Sequence, residues 1–158
     1  MTGIQRVLLD IHAALKDSFD TKIVGTQSYD RIDTNLAISK TDYIKFRNPL
    51  MFHNSIVIIH ERRLLPIMWL LTHIPGLKTK CIYIHHSELR GNKRISLFPK
   101  YIVAISDGGI ENLTKYFGVS RSAITKIHNC VREIGTRYPG VKKFDSERIK
   151  ILYPARIN

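Results

Sequence analysis

Three stretches decide the fold of this chain: KCIYIHHSELR (residues 80–90), YIVAISDGGIENLTKYFGV (residues 101–119) and ITKIHNCV (residues 124–131). Each is an apolar run that stops at a polar pair: His85-His86, Ser106-Asp107 and His128-Asn129. Short β-branched runs alternating with helix-length segments predict an α/β domain with a mostly parallel sheet. In such sheets the strands end along one edge, and ligands collect in the crevice outside those ends. The three ends are therefore expected to line one cleft.

Upstream, SIVII (residues 55–59) reads as a further buried strand ending at His60, with Glu61, Arg62 and Arg63 after it. The spacing of Ile4, Val7, Leu8, Ile11, Ala14 and Leu15 predicts an amphipathic helix, with Thr2 and Gln5 suited to a capping box. Gly3 adjoins that terminus and would let a ligand approach its exposed N–H groups. No strand precedes this helix, which is odd for a βαβ protein and suggests that a first strand belongs before it. Lys22 to Gly25 and Tyr43 to Phe46 are short strand candidates, and residues 27–40 are polar and irregular. A helix is expected from Asp107, with Ile110, Leu113 and Phe117 inward and Gly118 as its stop. Residues 1–131 form one domain in this reading, 132–148 a linker, and 149–158 the first strand of a second domain.

The 158 residues are 44% hydrophobic and 24% charged, enough to bury a sizeable core. Met1-Thr2-Gly3 leads straight into the amphipathic pattern, so no signal peptide is expected. The longest run without a charge or His, residues 64–72, is far short of the ~20 residues that span a bilayer. Cys81 and Cys130 both adjoin apolar runs and read as buried thiols in a reducing, cytoplasmic compartment. The formal charge of +12 should attract polyanions: nucleic acid, anionic lipid headgroups or phosphorylated ligands.

The candidate sites each have a plain structural reading. His85 and His86 point to opposite sides of their strand, which makes them poor joint metal ligands. The seven His show no zinc-like spacing, so no metal site is expected. Ser106 suits a helix N-cap, and no G-x-S-x-G elbow surrounds it. Residues 62–78 combine a basic edge with LLPIMWLL. They suit either a core helix or an interfacial helix on anionic lipid, and core packing is favoured because the apolar residues are not confined to one stripe. P-loop and G-x-G-x-x-G motifs are absent, and aromatics do not interleave with basic residues as single-strand nucleic-acid platforms require.

Taken in order, GIQRVLLDIHAAL, SIVIIH, CIYIHHS, AISDGGIENLTKYFGVSRSAITKIHNCV and ILYPARIN resemble the family-four glycosyltransferases of the GT-B fold. Gly3, Gln5, Arg6 and Leu15 match that family's glycine-rich loop and following helix. Ile105-Ser106, Gly118-Val119, Lys126-Ile127 and Asn129-Cys130-Val131 follow the order of a later segment, with Cys130 in place of the usual glycine. Tyr153 to Arg156 is similar to the family's strand running into G-R-L, with Ala155 for glycine.

The resemblance covers most of the chain, weakly over residues 27–54. It implies a Rossmann-like three-layer domain, the N-terminal, acceptor-side half of a retaining glycosyltransferase that needs neither metal nor other cofactor. The partners it implies are a nucleotide-sugar donor, bound mainly by an absent second domain, and a glycan or lipid-linked acceptor, with an anionic membrane surface nearby. His85 then sits near the transferred sugar as the catalytic candidate, and Gly3 and Arg156 near the donor phosphates. His60, His86 and Ser106 line the acceptor side of the cleft. Alone, such a half would be inactive. The alternative reading is a basic module binding nucleic acid or an anionic membrane.

Overall fold

The computed structural model describes residues 3–86, 88, 90–91 and 93–129. The linker, the terminal strand, Arg156, Thr2 and Cys130 named above lie outside the described residues. Among the described residues there are three α-helices, α1 (Gly3–Leu15), α2 (Leu65–His73) and α3 (Asp107–Glu111). Six strands accompany them: β1 (Ile23–Gly25), β2 (Tyr43–Lys45), β3 (Ile56–Ile59), β4 (Lys80–His85), β5 (Tyr101–Ala104) and β6 (Ile124–Lys126).

All strand pairings are parallel. β3-β4-β5-β6 form one sheet in chain order, and β1-β2 form a separate two-stranded sheet. The expected α/β class with parallel sheets is what the chain adopts. Every expected strand within the described residues is present, with its ends shifted by a residue or so.

Chain-order neighbours joined by crossovers of one hand place their connections on one face of the sheet. Accordingly α2 and α3 lie together. Leu65, Met68 and Leu71 of α2, and Ile110 and Leu113 of the α3 segment, bury against Ile59, Cys81, Tyr83, Ile102, Ala104 and Ile124. Each such side chain contributes roughly 1.5–3 kcal/mol on leaving water. Side-chain alternation along the strands sends Ile58, Ile82, Ile84 and Val103 to the opposite face.

α2 uses more of its surface than a core helix needs. Pro66 occupies its first turn, and Gly76, with φ +84°, turns the chain after it. Leu65, Met68 and Leu71 face inward. Leu64, Ile67, Leu70 and Ile74, spaced by three, three and four residues, point out and are 40–57% exposed. The core role expected for this stretch holds for one side only.

α3 carries a local irregularity that no sequence pattern announced. After Glu111 the helix widens over Asn112–Tyr116 into π-type turns, with the Phe117 N–H bonding the Asn112 carbonyl. Such wide turns recur at functional sites. Gly118, at φ +77°, then ends the helix as expected, and the Val119 N–H returns to the Leu113 carbonyl.

α1 is tied to the smaller sheet. His12 hydrogen-bonds the Thr21 hydroxyl at 3.0 Å and faces the Asp42 carboxylate at 3.5 Å. Among the described residues no helix is long and apolar enough to cross a membrane.

Candidate functional site

Because β3 to β6 run parallel, their C-terminal ends share one edge, and His60, His86, Ser106 and the segment after Lys126 all reach it. The edge divides into two polar groups, one on each face of the sheet.

The group on the helix face is a buried chain. Tyr83 and His85, two residues apart on β4, point toward α3. The Tyr83 hydroxyl lies 3.1 Å from His85 Nδ1, and His85 Nε2 lies 3.1 Å from Asn112 Oδ1. Asn112 Nδ2 donates to the Glu88 carbonyl at 3.2 Å, which leaves its Oδ1 as acceptor. That assignment makes His85 Nε2 the protonated nitrogen and Nδ1 the acceptor of the Tyr83 O–H.

Burial, outweighing the Asn112 bond, holds the His85 pKa below its usual value, so the ring is neutral. Burial likewise pushes Tyr83 up to about 12, keeping its proton in place as donor. His85 is 1% exposed. Both its nitrogens are engaged, and in this arrangement it meets no open cleft.

The group on the opposite face is a stacked histidine pair. His60 Nδ1 lies 2.7 Å from His86 Nε2, with ring centroids 5.0 Å apart and planes 22° from parallel. One nitrogen donates and the other accepts, so the contact holds one proton. Burial, then the neighbouring His86, lowers His60 to about 4, and burial lowers His86 as well. Both rings are half-buried and neutral near pH 7. The opposed directions expected for His85 and His86 are what β4 produces.

Ser106 caps α3, accepting the Gly109 N–H on its hydroxyl at 3.0 Å. Gly109 sits so close to the cluster that a Cβ there would lie 3.3 Å from Ser106 Oγ and 3.4 Å from His85 Cδ2. A Cβ on Gly108 would collide with the Glu88 carboxylate, which rests on that turn. Asp107 beside it is held by Lys126 at 2.6 Å, whose bond and charge lower the Asp107 pKa.

Gly3 opens α1 and is exposed; a Cβ there would meet nothing within 4 Å. No group of three or more His, Cys, Asp or Glu able to hold a metal ion occurs among the described residues. Cys81 is buried in the core, and burial raises its thiol to about 11, which leaves it unreactive.

The residues that sequence reasoning missed are Tyr83, Asn112 and Glu88. Tyr83 carries a usable signal, since i and i+2 on one strand share a face with His85. Asn112 and Glu88 join the site only through the tertiary packing of α3.

Two concavities lie elsewhere. One of about 580 Å³ lies along β2 and the following turn, against Tyr43, Lys45, Arg47 and Met51. Another of about 340 Å³ lies at the strand starts, against Trp69, His73, Lys80, Phe98 and Tyr101. Comparison with protein-family models, with curated proteins and with solved structures returned no match.

Proposed function

We propose that this chain is the Rossmann-like, acceptor-side part of a retaining, metal-independent glycosyltransferase of GT-B type. Such an enzyme moves a sugar from a nucleotide-sugar donor to a glycan or lipid-linked acceptor. The observation that supports it most is the gathering of neutral imidazoles at the C-terminal edge of a parallel sheet. His60 and His86 sit half-open at that edge, and His85 lies directly behind them.

The chemistry suits those groups. Departure of a nucleoside diphosphate builds negative charge on phosphate oxygens, and fixed donors or an arginine fork stabilise it without a metal. In this reading Arg156 and the N–H groups near Gly3 serve the donor phosphates. Neutral imidazoles at the cleft exchange hydrogen bonds with sugar hydroxyls and orient them. The half-open pair His60–His86 faces the acceptor, and Ser106 holds the start of α3 at the same strand-end edge, on the other face of the sheet. His85, closed in behind them with both nitrogens engaged, serves as a positioning residue that fixes β4 and, through it, His86.

The test is release of nucleoside diphosphate from a panel of nucleotide-sugars by the full-length gene product. Oligosaccharides and total membrane lipid serve as acceptors. The reading expects acceptor-dependent release, and His86→Ala should cut kcat at least tenfold while lowering the melting temperature by only a few degrees. A folded protein that releases nothing from any donor overturns it.

A further inference from the structure

The outer surface of the helix layer is built unlike a solvated face. Leu64, Ile67, Leu70 and Ile74 form one apolar stripe along α2, and Ile95 and Leu97 of the β4–β5 connection are exposed too. Basic residues frame the stripe at both ends. Arg62 and Arg63 precede α2, and Lys78 and Lys80 follow it.

A chain of ring contacts links further cations to Arg62 at the start of α2. The Arg62 guanidinium lies over the Phe117 ring at 5.0 Å. Tyr116, packed edge-on against Phe117, carries Arg90 at 5.9 Å and Lys93 at 5.7 Å over its own ring. The Tyr116 hydroxyl accepts the Gly91 N–H at 2.9 Å, which pins the connection in place. Stacking on a ring face orients a cation without neutralising it. Among the described residues no ion pair takes Arg63, Lys78, Arg90 or Lys93.

Large aliphatic side chains on a helix flanked by cations match the two attractions of an interfacial helix: apolar burial at the headgroup boundary and attraction to anionic lipid. The net charge of +12 acts in the same direction at longer range.

We infer that the α2 face, with Arg62, Arg63, Arg90 and Lys93 around it, docks on an anionic lipid membrane. α2 lies in the plane of the interface, and Leu64, Ile67, Leu70 and Ile74 enter the headgroup boundary. The surface chemistry carries this alone; it does not depend on the sugar-transfer reading, and its test needs no turnover.

The test is flotation of the full chain with phosphatidylcholine vesicles, with and without phosphatidylglycerol. Trp69, the one tryptophan, provides an internal fluorescence reporter on α2. Binding is expected only with phosphatidylglycerol, accompanied by a blue shift of Trp69 emission and weakened by added salt. A cation near such a surface is worth about fivefold in partitioning. Arg63→Glu with Lys93→Glu should therefore weaken partitioning at least about 100-fold, and Ile67→Asp with Leu70→Asp at least about tenfold. All four positions are exposed, so the variants should keep the wild-type melting temperature, and the charge pair still tests the idea if the aspartates unfold the chain. Equal binding to neutral vesicles overturns the proposal. So does absence of vesicle binding, whether a second copy of the chain or RNA is then found on this face.

Discussion

His85 and His86 are neighbours in sequence and end the same strand, yet they live in different surroundings. His85 turns toward α3 and is closed in, with Tyr83 on one nitrogen and Asn112 on the other. His86 turns to the opposite face and stacks half-open on His60. The pleat of a strand is the whole cause of this difference. The lesson is that a strand-end histidine pair supplies one residue to the architecture and one to the surface, so the two should fail differently when replaced.

The largest separation should appear in stability. His85→Ala leaves the Tyr83 hydroxyl and Asn112 Oδ1 without their His85 partner at a position that is 1% exposed, and it opens a cavity. We expect a loss of about 3–4 kcal/mol in urea denaturation. His86→Ala removes a half-buried ring and one hydrogen bond and should cost about 1 kcal/mol. Equal losses at the two positions would erase the distinction between the inner chain and the outer pair.

Acid sharpens the comparison differently, because it acts on both groups through one mechanism. Burial holds His60 at about 4 in the folded chain against 6.5 for a free histidine. Between those values the unfolded chain takes up the proton first, so stability is full above pH 6.5 and falls as pH drops toward 4. His85 and His86 are lowered by burial too and add to the same loss as pH falls below 6.5. We expect His60 to account for on the order of 2 kcal/mol of the loss. Its contact with His86 also breaks when both rings carry protons. His60→Gln should flatten the profile between pH 6 and about 4, measured by denaturation midpoints across that range. A profile that keeps its slope in His60→Gln would place the acid sensitivity elsewhere.

What the sequence could reveal follows from how local each cause is. Strands 56–59, 80–85 and 101–104 are legible because continuous apolar runs with polar stops have few other solutions in an α/β chain. The Ser106 cap and the Gly118 stop are legible because each depends on a few consecutive residues. The cover over His85 was not legible: Asn112 lies 27 positions away, and it reaches the ring from a π-widened turn that no residue pattern marks. The exposed side of α2 was half legible. Its apolar excess is plain in the sequence, but the division between Leu65, Met68 and Leu71 inside and Leu64, Ile67, Leu70 and Ile74 outside depends on which way the helix packs.

The smallest effects test how tightly α3 is fitted to the inner chain, through two adjacent glycines. In an open helix, replacing glycine by alanine gains up to about 1 kcal/mol. At Gly109 a methyl group would press on both Ser106 and His85, at 3.3 and 3.4 Å, and neither neighbour is free to retreat because each is held by hydrogen bonds. The gain should be cancelled there and a net loss of about 1 kcal/mol remain. At Gly108 the obstacle is the end of the exposed Glu88 side chain, which can swing into solvent. Gly108→Ala should therefore be neutral or slightly stabilising. If Gly109→Ala proves as harmless as Gly108→Ala, the wall between α3 and His85 is looser than the distances imply, and His85 loses its standing as the closed member of the pair.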